Sequence, residues 1–321
     1  MTMLPPNDDS PTDPLEAEQV THRRRDEERQ LYELVDQPEL DDPVMILALD
    51  GWIDAGSASE AAAQHIVSTL APEPIATFDT DALLDYRSRR PILRLVDGVA
   101  RELVWPTVEL SVALDESGRD LLLLRGAEPD HLWRTFSGQI ADLALSFGCA
   151  MVIGIGAYPA PLPHTRRSRL SATATRPDLA DRPGWVRGTL DVPAGIQPVI
   201  ESAAASLGIP SLGVWAQVPH YAAAMPYPAA ALRLLEGVIE VTGLTFDLTT
   251  LATASESSLQ RLSELVDNSE EHQALVHQLE RHVDDAANAE EELPSGDELA
   301  AEFQRFLRQQ RPGNGPGPLG G

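Results

Sequence analysis

VMILALDGWIDAGSASEAAAQHIVSTLAPEPIATFD, residues 44–79, is the stretch whose reading decides the fold. Its opening run VMILAL is apolar without interruption, which suits a strand buried on both faces. Ser57 and Glu60 are spaced as a capping box, and the alanines after them favour helix, so a helix is expected over 57–70. PIATFD (74–79) reads as the next strand. Together these make one βαβ unit, whose crossover should be right-handed.

The same alternation continues outward. TVELSVALDE (107–116) and DLLLLRGAE (120–128) are separated by Ser117-Gly118, a hairpin-like turn signal. HLWRTFSGQIADLALSFG (131–148) places Leu132, Phe136, Ile140, Leu143 and Phe147 on one broad helical face and stops at Gly148. CAMVIGIG (149–156) reads as a buried strand, and a long polar section with several Pro and Arg residues follows over 157–187. A loop of that length inside a compact domain usually binds or covers something. Helix, strand and helix are then expected over 195–208, 209–218 and 229–243. Strands alternating with helices imply an α/β domain with a mixed, mainly parallel sheet.

The flanks differ from this centre. Residues 1–42 hold 13 acids and 4 arginines, a net of −9, with few large apolar residues, so a mostly disordered acidic arm is expected there, RRRDEERQLYEL (23–34) being the one stretch excepted. Residues 250–321 hold 14 acids and 5 arginines, again −9 of the total −26. Strand signals stop after Thr250. Leu259–Val266, Leu275–Val283 and Leu299–Leu307 mark three short amphipathic helices over 251–310, which must pack on something because none is long enough to stand alone. Residues 311–321, RPGNGPGPLGG, read as a flexible tail.

A chain of 321 residues, 43% hydrophobic, can bury a sizeable core. Its acidic balance argues against a nucleic-acid binder, which needs basic surface to displace counterions. No run approaches the roughly 18 apolar residues of a membrane helix, and the first residues are acidic where a secretory signal is basic, so a cytoplasmic protein is expected. All 24 basic residues are arginine, which removes Schiff-base chemistry and a P-loop lysine. The single cysteine, Cys149, sits among apolar neighbours and reads as a small buried hydrophobe.

LDGWIDAG after the first strand, IGAYPAPLPHTR after a central one, and GIQPVIESAAASLGIPSLGVWAQVPHYAA near the end of the α/β part together resemble the proteasome assembly chaperone 2 family, in its bacterial branch. The similarity covers about 43–245. It implies an α/β/α sandwich akin to nucleoside phosphorylases, often a homo-oligomer, and a role in binding proteasome subunits. It supplies no established catalytic activity for the bacterial members. Several relatives of the family and many proteasome activators carry a C-terminal hydrophobic–Tyr–any-residue tail, whereas Pro318-Leu319-Gly320-Gly321 has no aromatic ring, so tail-driven docking is not expected.

The candidate binding residues fall in three places. Gly51 and Gly56 allow a tight turn and close backbone approach around Trp52, while Asp50 and Asp54 would repel a phosphate and suit capping of the next helix. A structural corner is favoured over a recognition loop and over a catalytic carboxylate. His164 with Arg166, Arg167 and Arg169 could hold an acidic group, set against a solvated loop. His220 and Tyr221 sit just past a strand, where α/β sheets place ligands, set against a satisfied histidine at a packed strand end. His272, His277 and His282 recur every five residues, so successive rings are rotated about 140° on a helix and form no metal site.

Two function classes remain open. One is a non-catalytic binding or assembly protein; the other is a nucleoside- or phosphate-handling hydrolase or transferase on a phosphorylase-like fold. The sequence offers no paired acid and base at readable spacing, no lysine, no metal cluster and no GxSxG, which favours binding with neither cofactor nor metal. Any partner surface is expected near Trp52 and Tyr221.

Overall fold

The computed structural model describes residues 29–288 except 183, 184, 187 and 190. The 44–79 stretch folds as its pattern dictates, into β2 (Val44–Asp50), α1 (Ala58–Leu70) and β3 (Glu73–Phe78), preceded by β1 (Tyr32–Leu34). A short helix α2 (Thr80–Leu83) leads to a separate two-stranded ribbon, β4 (Ile92–Val96) and β5 (Val99–Val104), for which the sequence analysis makes no assignment. The hairpin signalled by Ser117-Gly118 is β6 (Val108–Leu114) and β7 (Asp120–Ala127), followed by α3 (Trp133–Ser146) and β8 (Met151–Ala160). Residues 157–187, expected as one long loop, also contain an edge strand, β9 (Leu170–Ala174), and a single turn, α4 (Pro177–Ala180). Then come α5 (Ile196–Ser206), β10 (Ser211–Pro219), α6 (Pro228–Thr242), α7 (Thr249–Asp267) and α8 (Glu270–Asn288).

Eight strands form one mixed sheet in the order β1-β3-β6-β7-β2-β8-β10-β9. The four central strands, β7, β2, β8 and β10, are mutually parallel, and the flanking pairs are antiparallel. The expected βαβ unit needs one correction. β3 runs in the direction of β2 but lies beyond β7 and β6, so its crossover skips two strands. The reason is burial: Leu121–Leu124 are fully buried and suit a strand covered on both faces, whereas β3 leaves Glu73, Pro74 and Thr77 exposed and suits a place near the edge.

Helices cover both faces, giving an α/β/α sandwich. On one side α1 and α6 pack Ala62, Ile66, Leu234, Leu235 and Val238 against Ile153, Ile155, Leu212 and Val214. On the other, α3 and α5 pack Phe136, Ile140, Ile200 and Ala204 against Met45, Leu47, Leu122 and Leu124. Each fully buried leucine or isoleucine here contributes about 1.5–3 kcal/mol. Cys149 is buried too, and burial pushes its thiol up to about 12, which leaves it an inert hydrophobe.

The flanks also depart from expectation. Within the arm 1–42, the end of the excepted RRRDEERQLYEL stretch is held by the sheet: Leu31 is fully buried, Tyr32–Leu34 pairs antiparallel with β3, and the Tyr32 ring meets Phe78 at 5.8 Å. Its apolar side chains reach a sheet edge that composition alone does not reveal. Two of the three expected C-terminal helices are present as α7 and α8, each 19 residues rather than short. Leu251 and Leu262 of α7 join the core beneath α6. The third, Leu299–Leu307, and the tail lie outside the described residues. Among the described residues no helix is long and apolar enough to cross a membrane.

Candidate functional site

The loop after β2 is a corner. Asp54 Oδ1 and Oδ2 accept the backbone N–H groups of Ser59 (2.9 Å) and Glu60 (3.1 Å), so Asp54 caps α1. The capping box expected from Ser57 and Glu60 does not form: Ser57 is left-handed at φ 47° and makes no side-chain cap bond. Gly56, at φ 66°, has to be glycine twice over, because a Cβ there would also lie 2.6 Å from the Tyr227 Cβ. Its N–H donates to Ala223 O and its C=O accepts from Tyr227 N–H, which ties the loop to the segment before α6. Burial, followed by the repulsion of Glu60, holds the Asp50 carboxyl above its ordinary range; burial also raises Asp54. The Asp50 carbonyl accepts the Glu128 N–H at 3.1 Å. Beyond Gly51, Trp52 is half-buried and lies against Gly195.

His164, Arg166 and Tyr221 meet elsewhere and serve the C-terminal helices. Tyr221 Oη accepts the His164 backbone N–H (2.8 Å), which leaves its own hydrogen for His164 Nδ1 (2.8 Å) and the ring proton on Nε2, facing Ser263 Oγ of α7 (3.1 Å). Burial holds His164 below 6.5, so the imidazole is neutral at neutral pH. Arg166 does hold an acidic group, but that group is in the same chain: Nε and Nη2 donate to Asp284 at 2.9 and 2.6 Å, and Nη1 reaches Glu280 at 3.4 Å. His220 opens the turn after β10 with its ring 5.5 Å from Tyr221. The structure therefore brings together His164, His220 and Tyr221, and separately Asp50, Gly51, Trp52, Asp54 and Gly56.

A cleft that the sequence analysis does not identify lies beside Trp52. Its volume is about 360 Å³, and its walls come from Trp52, Tyr158, Ser171, Thr173, Trp215 and the segment 192–195. Among the described residues no charged side chain lines it; the narrow recess beside it is lined by Glu128, and neither is lined by Asp50, Asp54, His164 or His220. Those described residues offer a phosphate no counter-charge. The section 157–187 accordingly does cover something, through Ser171, Thr173 and Val186.

The walls follow from strand alternation. On β8, Gly154, Gly156 and Tyr158 share one face; on β10, Gly213, Trp215 and Gln217 lie beside them in register. The Trp215 indole rests over Gly156 and donates from Nε1 to Thr173 Oγ1 at 3.1 Å. Two buried side chains of α5 complete this face. Gln197 Nε2 donates to Ile155 O at 3.0 Å, while its Oε1 and Glu201 Oε1 have no hydrogen-bond partner. Burial raises Glu201 to about 8, so it is a neutral acid at pH 7. Glu128 Oε1, also raised by burial, accepts the Ile196 N–H at 2.7 Å and caps α5. The signal for this site is present in the sequence as Gly-x-Gly-x-Tyr and Gly-x-Trp-x-Gln, at alternate positions of two otherwise apolar strands.

Comparison with known proteins bears on the family and the fold. The family model described as PAC2 family matches residues 48–266. Three solved structures are similar over most of the chain. A Mycobacterium tuberculosis protein of unknown function shares 34% identity, covering 89% of this chain and 99% of that one, with a TM-score of 0.79. A proteasome-assembly chaperone homologue from the same organism shares 34% identity, covering 73% and 99%, with a TM-score of 0.67. A PAC2 family protein of Streptomyces avermitilis shares 33%, covering 73% and 100%, with a TM-score of 0.66. No curated protein matches.

Proposed function

The chain belongs to the PAC2 family, and from that premise we propose that it is a non-catalytic assembly protein, resembling the proteasome assembly chaperones, that acts through protein–protein contacts. The similarity to a proteasome-assembly chaperone homologue supports this reading. In it, residues 43–250 form the working α/β domain, 251–310 a helical extension, and the setting is cytoplasmic. The proposed partners are unassembled proteasome subunits and other copies of this chain.

The observation that carries the reading is the β4–β5 ribbon. Every residue of both strands is exposed. By register, Leu93, Leu95, Leu103 and Ala100 share one face, and Ile92, Val96, Val99 and Val104 share the other with an Arg94–Glu102 pair. Ile92 is 69% exposed and Leu95 59%. Contiguous apolar surface of this kind marks a protein–protein contact. The Asp97-Gly98 turn, with φ of 51° and 76°, sets the twist of the ribbon so that both faces project. This surface takes the place of the one expected near Tyr221, whose hydroxyl is engaged by His164.

The test is co-elution of the purified full chain with unassembled proteasome α and β subunits of its own organism, with masses from light scattering. Co-elution is expected, and the double variant Leu93→Glu/Leu103→Glu should abolish it while leaving the melting temperature and far-UV spectrum unchanged. Absence of co-elution by the parent chain, or its persistence in the folded variant, overturns the proposal.

A further inference from the structure

We propose that the cleft between Trp52 and Trp215 is a binding site for an uncharged, flat heteroaromatic molecule that carries an amide-like N–H edge. This inference stands independently of the protein–protein reading, since the ribbon contributes nothing to the cleft.

Size and lining set the class. A space of about 360 Å³ lies within the ordinary range of small-molecule pockets. Two indoles and a phenol supply flat apolar wall, which suits an aromatic ring. Among the described residues no charged side chain lines the cleft, and the carboxylate of the recess, Glu128, already accepts the Ile196 N–H, so an anion or a cation would lose its hydration without a compensating partner. The ligand is therefore neutral.

The inner end sets the edge chemistry. Thr173 lines the cleft, and its hydroxyl reaches the Glu201 carboxyl. Gln197 lines the recess between Trp52 and Trp215. Gln197 is only 8% exposed, yet among the described residues its Oε1 lacks a donor. Buried acceptors in folded proteins are almost always satisfied, so this one, on a side chain that lines the recess, calls for an N–H group from outside the fold.

Glycines make room for the side chains that build this end. A Cβ on Gly154 would lie 2.7 Å from Glu201 Oε1 and 2.9 Å from Gln197 Oε1; one on Gly213 would lie 2.8 Å from the Trp215 Nε1. The same strands carry Ile153, Ile155, Leu212 and Val214 on their opposite face, where packing alone governs. A face built only for packing would carry such residues on both sides; this one gives three positions to glycine and surrounds them with polar ends.

The test uses the full chain and three neutral probes, nicotinamide, benzamide and isoquinolin-1-one, with nicotinate and benzoate as their charged counterparts. Saturation-transfer NMR and quenching of tryptophan fluorescence report binding. Saturable binding of at least one neutral probe is expected, at least tenfold tighter than its carboxylate counterpart, and Thr173→Val and Gln197→Leu should each weaken it about tenfold with an unchanged fold by circular dichroism. Glu201→Gln, which keeps a donor and an acceptor, should retain binding. No saturable binding of any probe, equal binding of amide and carboxylate, or binding indifferent to both folded variants overturns the proposal.

Discussion

Strands β8 and β10 present two faces made from alternate residues of the same segments, and the two faces obey different rules. Toward α1 and α6 they show Ile153, Ile155, Ala157, Leu212, Val214 and Ala216, fully buried and packed. Toward α5 they show glycine, tyrosine, tryptophan and glutamine, facing Gln197 and Glu201 of α5, whose Oε1 atoms have no hydrogen-bond partner among the described residues. The first face carries fold stability. The second gives up packing and polar satisfaction for an open space, and features of that kind concentrate at functional sites.

The largest expected effect tests the second face through pH. Folded Glu201 keeps its proton up to about 8, whereas the unfolded carboxyl releases it near 4.5. Between those values the unfolded state binds fewer protons, so stability falls as pH rises, with the folding equilibrium constant dropping about tenfold per pH unit from roughly 5 to 8. Urea titrations across this range should show that slope, and Glu201→Gln should flatten it; a parent chain equally stable at both ends would remove the distinction between the faces. Next comes the packed face: Leu234→Ala, at a fully buried site on α6, should cost about 2–5 kcal/mol in the same titration. The smallest effect sharpens the boundary. Gly156→Ala pushes a methyl group into the Trp215 ring and should cost about 1–3 kcal/mol while shifting the tryptophan emission. A cost as large as that of Leu234→Ala would mean that both faces are equally packed.

How far the sequence revealed these faces follows the same division. Runs such as VMILAL and the leucines of β7 fix central strands because only a strand buried on both sides tolerates them. Gly148 and Gly243 stop their helices at φ 69° and 70°, as their positions imply. Asp54 was legible as a cap although its competitor Ser57 also fitted. The edge strands β1 and β9 were not legible, because short polar segments are held by a neighbour's backbone rather than by their own pattern. The ribbon had a visible signal in Asp97-Gly98 between apolar runs. The cleft had a fainter one. Its walls come from β2, β8, β9, β10 and the segment before α5, and only the tertiary fold places Glu201 behind Trp215.

The ribbon has one more property besides its exposed side chains. Among the described residues β4 pairs with β5 alone, so each strand has an outer edge whose amides and carbonyls no third described strand takes up. A partner that lays an extended segment along such an edge is held by its main chain, and the side chains of that segment alternate between the two faces of the enlarged ribbon. Recognition of this type reads backbone geometry more than residue identity, so a single arm could engage several subunits that share a fold but differ in sequence.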